Sequence, residues 1–351
     1  MRKLLNTLYV LSPNAYLQKD GENVVVRIDD QESFRIPIIN LESIISFSYL
    51  GASPGLMNLC TRCGVTLSFH TPRGQYIGSL EGEVRGNVLL RRTQFRYADD
   101  EVMSSHYAAA FIAGKIANQR SVLARFLRDH RPEDSVSIRL QEVITQLKIL
   151  IQTLSRRSSR AQVMGVEGTA AQLYFGVFHL LEGVDYLQHL ILNKDFSFNG
   201  RSKRPPKDAI NTLLSLFYTM LSHDVRSALN SVGLDPYVGF LHTDRPGRPS
   251  LALDLMEELR AYMVDRFVLS IVNKRQVRPS DFIEYGEEEI RLRDETRKDL
   301  IGLWQKRKKE EITHPYLNER IPLGLLPYTQ AMLLARAVRG ELEDYPVFLI
   351  Q

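Results

Sequence analysis

The side chains best suited to chemistry lie between Gly239 and Arg260, in the stretch GFLHTDRPGRPSLALDLMEELR. An apolar run, Val238 to Leu241, ends on His242. A basic, proline-broken loop from Thr243 to Pro249 follows and carries Arg245 and Arg248. Ser250 is a good N-cap, and Leu251 to Arg260 reads as an amphipathic helix. On such a helix Asp254, Glu257 and Glu258 stand at i, i+3 and i+4, so their carboxylates share one face. Like charges on the side a helix packs are unfavourable unless a cation sits among them. His242 adds a nitrogen donor to those oxygens, and a divalent metal ion resolves the charge. The same spacing also describes a solvated helix face of i,i+4 ion pairs.

A second acidic element occurs earlier, at Gly165-Val166-Glu167-Gly168 in a helical stretch from about 161 to 181. Its other face carries Leu173, Tyr174, Phe175, Val177 and Phe178. Gly165 and Gly168 each cost roughly 1 kcal/mol of helix propensity relative to alanine. That cost is expected where a backbone or ligand must come close to the carboxylate. An ordinary surface glutamate usually lies among polar neighbours, and Glu167 does not.

The elements that must position these groups fall into two sets, an α+β arrangement. At 351 residues and 44% hydrophobic, the chain can bury a large core and divides into two domains. The formal charge is only +4 and the pI about 8.9, so nucleic-acid binding has to rest on local clusters. The two cysteines, Cys60 and Cys63, supply no disulfide framework and point to a reducing compartment. As a CxxC without a second pair they are also weak evidence for zinc. No apolar run reaches membrane-spanning length, and the start reads as a first strand of a cytoplasmic protein rather than a signal peptide. Strand signals at Leu4–Leu11, Val24–Ile28, Phe34–Ile38, Ile44–Ser48 and Val65–His70 surround a helical piece at Pro54–Cys63. They predict a small β-rich domain over 1–95, with its boundary between 92 and 102. From 103 to 351 the period is 3.6, which predicts an all-α domain. Its helices cover His106–Arg128, Val136–Leu154, 161–181, Asp208–Asn230, Glu287–Glu311 and Leu325–Arg339.

In order along the chain stand Gly165-x-Glu167-Gly168, Asn211-x-Leu213-Leu214…Tyr218-x-x-Leu221, Gly233-Leu234-Asp235-Pro236-x-x-Gly239-Phe240-Leu241-His242, and Ser250-Leu251-x-x-Asp254-Leu255-x-Glu257. This set closely resembles the CRISPR-associated integrase/endonuclease family, the spacer-acquisition proteins (Cas one), and spans the whole chain. With Asn87 to Arg92 near the domain junction, it is most similar to members from type I-C systems. The resemblance implies an N-terminal β domain for dimerisation and partner contact, and a C-terminal α-helical catalytic domain. It places the metal ligands on Glu167, His242 and Glu257, with Asp254 at the second acidic position of the same helix as a further catalytic residue.

One imidazole and two or three carboxylates suit Mg²⁺ or Mn²⁺ better than a structural zinc site. Beside a phosphodiester such an ion polarises the phosphoryl oxygen and stabilises the attacking and leaving oxygens. With water the outcome is cleavage; with a DNA 3′-hydroxyl it is strand transfer. The family implies strand transfer, joining short captured DNA to the CRISPR repeat. It also implies homodimers that clamp a small ferredoxin-like partner (Cas two) in a heterohexamer, with a Cas four nuclease assisting.

Basic residues fit that role. Arg245 and Arg248 lie between His242 and the acidic helix, while Arg201, Lys203 and Arg204, the cluster Arg156–Arg160, and the run Lys306–Lys309 offer phosphate contacts further away. Glu310 and Glu311 after the last run also fit a solvated helix end. Tyr174 offers a ring for stacking on DNA, or a core aromatic. A competing enzyme reading takes His223-Asp224, with His179 or His189 and Asp235, as an HD-type metal phosphohydrolase of nucleotides. A third is a DNA-binding scaffold with a degenerate site.

Overall fold

The computed structural model describes residues 7–10, 12–41, 43–70, 76–80, 88–130, 132–154, 158–181, 196, 198, 200–202, 205–286 and 289–350. The chain forms two compact units. The first comprises Met1–Asn87 with Gln305–Glu311 and Pro322–Leu326; the second comprises Val88–Trp304, Ile312–Ile321 and Pro327–Gln351. The first is rich in strand and the second in helix, as the α+β pattern predicts.

In the first unit β1 (Thr7–Val10) is followed by β2 (Ala15–Asp20), β3 (Asn23–Ile28) and β4 (Gln31–Pro37), which form an antiparallel meander. Its second hairpin turns on Asp29 and Asp30, both at positive φ (50° and 61°), the requirement of a tight hairpin loop. β1 pairs in parallel with β5 (Ser43–Ser46), β5 in parallel with β6 (Thr66–His70), and β6 antiparallel with β7 (Tyr76–Leu80). Between β5 and β6 runs α1 (Pro54–Cys63), where Ser53 Oγ accepts from the Leu56 N–H at 3.2 Å. Leu56, Leu59 and Cys60 of α1 pack with Ala15, Leu17, Val24, Val26, Ile44 and Leu67. Burial pushes the Cys60 thiol up to about 12, and Cys63 is exposed. The CxxC is therefore a helix edge with one cysteine in the core.

The second unit starts with α2 (Val88–Asp99), so helix begins earlier than the predicted 92–102 boundary. The reason is Leu90 and Gln94, both fully buried on α2. α3 (Glu101–His130), α4 (Asp134–Thr153), α5 (Arg160–Phe178), α6 (Ala209–Val232) and α7 (Ser250–Arg260) follow. α7 passes through a π-helical turn, Ala261–Asp265, into α8 (Arg266–Asn273). The predicted helix at 287–311 is shorter. Alternating Ile290 and Leu292 instead form β9 (Glu289–Leu292), paired with β8 (Phe282–Tyr285), and α9 covers Asp294–Lys308. A second strand pair, β10 (Glu311–His314) and β11 (Glu319–Pro322), precedes α10 (Leu326–Val338). Among the described residues, no helix is long and apolar enough to cross a membrane.

α3 is the spine of the unit and packs against α4, α5 and α7. Its buried stripe is apolar at Phe111, Ile112, Ile116 and Leu123 but also holds Lys115 and Asn118. Buried polar groups need partners, and the partners of these two define the site.

Candidate active site

His242 reaches the site on a loop fixed from both ends. Gln94 of α2 donates to the carbonyls of Asp235 and Val238 at 2.8 and 2.9 Å and accepts from the Asp235 N–H at 2.9 Å. Ser104 of α3 donates to the Phe240 carbonyl at 2.7 Å. The fully buried Asp254 carboxylate closes the turn, accepting the N–H groups of Phe240, Leu241 and His242 at 2.7, 2.9 and 3.0 Å. Its Oδ1 also lies 2.6 Å from His242 Nδ1. A carboxylate accepts only, so Nδ1 carries the proton and Nε2 of a neutral ring keeps its lone pair. A Cβ on Gly239 would lie 2.8 Å from Asp254 Oδ2 and 2.7 Å from Ser250 Cβ, so only glycine lets this turn and carboxylate meet.

Glu167 of α5 and Glu257 of α7 meet on one cation, Lys115 of α3. Its Nζ contacts Glu167 Oε1 and lies 2.8 Å from Glu257 Oε2. Arg260, one turn after Glu257, reaches Glu257 Oε1 at 3.1 Å. Burial alone would raise the Glu257 carboxyl, but Arg260 and Lys115, with the nearby His242, outweigh it and hold it at about 2. The two cations thus favour the ionised form of Glu257. Arg260 also lies over the Tyr218 ring at 4.9 Å, and Tyr218 donates to Asp265 at 2.5 Å, at the end of the π-helical turn.

Glu258 faces the other way. It accepts from the Phe348 N–H at 2.7 Å, from Gln330 at 3.0 Å and from the Tyr345 hydroxyl. Asn118 donates to the carbonyls of Glu258 and Phe348 at 2.7 and 2.8 Å and accepts from the Ile350 N–H at 2.8 Å. The C-terminal segment is thereby stitched to the helices that carry Lys115 and Glu257. A Cβ on Gly114 would come within 2.6 Å of Val347 Cγ1, so α3 packs tightly against that segment next to Lys115.

The remaining predicted residues divide. Arg245 is exposed on the loop after His242, and Arg248 is half-buried beside it. Arg201 instead spends its guanidinium inside the unit, donating to Asn211 Oδ1 at 2.6 Å and Ser215 Oγ at 3.1 Å and lying over Tyr218. Tyr174 is fully buried, with Phe175 and Phe178 ring centroids 5.2 and 5.6 Å away, so it is a core aromatic and not a DNA-stacking ring. Arg160 donates to Ser104 Oγ at 2.5 Å. In the run 306–309, Lys308 is buried and Arg307 faces Glu310 at 3.8 Å. Lys203, Arg204, Arg156, Arg157 and His189 lie outside the described residues. Gly165 and Gly168 face open space, with nothing within 4 Å of a built Cβ, so the expected close approach at those glycines is not found. Sequence reasoning missed Lys115 and Arg260. The available signal was a lysine on the otherwise apolar stripe Phe111, Ile112, Ile116, where a charge requires a buried counter-charge.

Among the described residues, no three His, Cys, Asp or Glu side chains stand together as a finished metal cage. The donor chemistry nevertheless fits a divalent ion. Two carboxylates already share one cation, with Glu257 Oε2 2.8 Å from Lys115 Nζ. Asp254 is spent on four hydrogen bonds, which leaves Glu167, Glu257 and His242 Nε2 as the available donors.

The family model for CRISPR associated protein Cas1 matches residues 8–306. The chain is 45% identical over 349 residues to "CRISPR-associated endonuclease Cas1 1" of Chlorobaculum tepidum, covering 99% of each. It is 46% identical over 352 residues to "CRISPR-associated endonuclease Cas1 2" of Rhodospirillum rubrum, covering 99% of this chain and 98% of that one. A Cas4/Cas1 fusion of the same organism, described as an exonuclease/endonuclease, is 30% identical over 97% of this chain and 57% of its own length. Among solved structures, a Cas6-RT-Cas1–Cas2 complex aligns with TM-score 0.80 and 24% identity over 99% of this chain and 36% of that one. A casposase bound to integration product aligns with TM-score 0.77 and 22% identity, over 97% of this chain and 92% of that one. These two likenesses show the shared fold. Fold, site and relatives define a CRISPR-associated endonuclease. The chain belongs to the Cas1 family. The HD-type phosphohydrolase reading of His223-Asp224 has no support, since the Cas1 family model matches residues 8–306, that pair included.

Proposed function

We propose that the protein is the strand-transfer enzyme of CRISPR adaptation, in a type I-C-like system. It joins the 3′-hydroxyl ends of short captured DNA to the repeat by transesterification. The observation that carries this reading is the meeting of Glu167 and Glu257, from two separate helices, on one buried cation, with His242 near enough to act on Glu257 electrostatically. In this reading Glu167, Glu257 and His242 Nε2 hold a divalent ion, Mg²⁺ or Mn²⁺. When bound, that ion supplies Lewis-acid polarisation of the scissile phosphate and charge stabilisation for the oxygens that attack and leave.

The chain's own residues do the rest. Asp254 orients His242 and keeps the proton on Nδ1. Arg260 holds Glu257 ionised. Arg245 and Arg248, on the loop between His242 and α7, grip the DNA backbone beside the site. Lys203 and Arg204 are proposed as further phosphate contacts. The proposed partners are DNA, Cas2 at the centre of a heterohexamer and Cas4 as an assisting nuclease; a chain of similar fold occurs in a complex with Cas2, a relative is fused to Cas4, and another similar fold is bound to integration product. A homodimer, formed through the N-terminal β unit and acting in the cytoplasm, supplies the two active sites that two strand-transfer events require.

The test is an integration assay with labelled short DNA and a repeat-containing plasmid, with and without Cas2 and chelator. Covalent joining is expected only with metal and the 3′-hydroxyl present, and it should fall at least about 100-fold in Glu167→Gln. Joining that survives chelator or Glu167→Gln would rule the reading out.

A further inference from the structure

Lys115 is nearly fully buried, yet it touches two groups that the proposed function uses as metal ligands. An ammonium is placed in a protein interior only where carboxylates compensate its lost hydration. Here the compensation is complete. Glu167 and Glu257 carry two negative charges, and Lys115 and Arg260 carry two positive ones. These four groups in mutual contact sum to zero with no divalent ion among them. Adding such an ion while Lys115 stays in contact leaves two positive charges in excess within a few ångströms, in a medium that screens poorly.

The two cations are not equally replaceable. Arg260 is a planar fork anchored on the far side of Glu257 and laid over the Tyr218 ring. Lys115 is a point charge on a flexible stem, and it occupies the space between the two carboxylates. It is the group that can leave.

We propose that Lys115 is the resident cation of the metal site. It holds Glu167 and Glu257 together in the DNA-free protein, excludes divalent ions, and gives way when a DNA phosphate arrives. The phosphodiester brings the negative charge that the loaded site lacks, and it offers the displaced ammonium a new partner. Metal loading is thereby coupled to DNA loading, so the free enzyme does not carry an armed ion. This rests on the reading that Glu167, Glu257 and His242 hold the ion. Lys115 acts through those ligands and is a positioning residue.

The experiment titrates Mn²⁺ by electron paramagnetic resonance of the free ion, into full-length wild type, Lys115→Met, Lys115→Arg and Glu167→Gln. Each titration is run with and without a short duplex, with the duplex alone subtracted. Wild type should bind Mn²⁺ about tenfold or more tightly with DNA than without, a coupling of ordinary allosteric size. Lys115→Met should bind DNA-free Mn²⁺ about tenfold more tightly than wild type and lose most of that coupling. Lys115→Arg, which keeps the charge, should stay close to wild type. A merely structural lysine would not raise metal affinity when removed. Lys115→Met binding DNA-free Mn²⁺ no more tightly than wild type would overturn the proposal. If Lys115→Met does not fold, the wild-type pair of titrations decides, and equal affinity with and without DNA overturns it. If no form binds Mn²⁺ even with DNA, the metal-ligand reading itself fails and this inference falls with it. Binding unaffected by Glu167→Gln would put the ion elsewhere and overturn both.

Discussion

In the proposed reading Asp254 shapes the site without touching the ion. Its two oxygens collect three backbone N–H groups and the His242 ring, so it sets both the loop and the tautomer. In Asp254→Asn the amide nitrogen has to face one of those donors, and the ring loses its fixed orientation. Strand transfer should fall about 10- to 100-fold, with weaker metal affinity, the usual scale for removing the partner of a ligating histidine. Glu258 offers a second test. Burial pushes its carboxyl up to about 7 from 4.5, the hydrogen bonds from Tyr345, Gln330 and the Phe348 N–H offsetting only part of that cost. The folded state then holds the proton more tightly than the unfolded one. This contribution to stability is complete below about pH 4.5 and is lost as pH rises through about 7. Thermal melts should show wild type losing up to about 3 kcal/mol more than Glu258→Gln between those two pH values. Equal pH profiles would contradict the assignment. Glu167, His242 and Glu257 stand out in the sequence as candidates because acids and an imidazole in apolar or glycine-rich surroundings ask for a cation, and the family resemblance implies these three as ligands. Lys115 does not stand out, because a lone lysine in a helix ordinarily extends its stem to water, and only the fold reveals that α5 and α7 wall it in. Arg201 was misread for the same reason: a basic residue in a polar loop looks exposed until Asn211 and Ser215 are found around it.

At the scale of elements, α7 is buried along most of its length, including Asp254, Glu257 and Glu258. A helix carrying three carboxylates inside a protein stays there only if its neighbours are shaped for it. α3 supplies Lys115 and Asn118, the 239–242 turn supplies backbone N–H groups, and the C-terminal segment supplies Phe348 and Tyr345. Gly239→Ala tests the turn. Its new methyl would meet the Ser250 backbone at 2.9 Å as well as Asp254, so something must shift. A loss of about 1–3 kcal/mol in denaturant unfolding is expected, together with loss of strand transfer. Unchanged stability would mean the turn is not held as described. The long helices were legible from their 3.6 period. The strands β8 to β11 were not, because four-residue charged segments carry too little alternation to stand out from helix ends.

Across the whole molecule, every group assigned to the site, from Lys115 to Glu257 and Arg260, belongs to the helical unit. Among the described residues of the first unit, large apolar side chains such as Ile39, Tyr49 and Ile77 are exposed, which fits the dimer contacts proposed above. The two-domain division was visible in the switch from period 2 to period 3.6, whereas the return of 305–311 and 322–326 to the first unit was not, since it depends on where α9 and β11 end. The account as a whole turns on one point of convergence, and anomalous diffraction from crystals of the full chain grown with Mn²⁺ and a short duplex tests it most directly. The account predicts a single manganese peak in contact with Glu167, Glu257 and His242 Nε2, with the Lys115 ammonium moved off both carboxylates. A peak at any other group of side chains, or no peak with Lys115 still seated between Glu167 and Glu257, would contradict it.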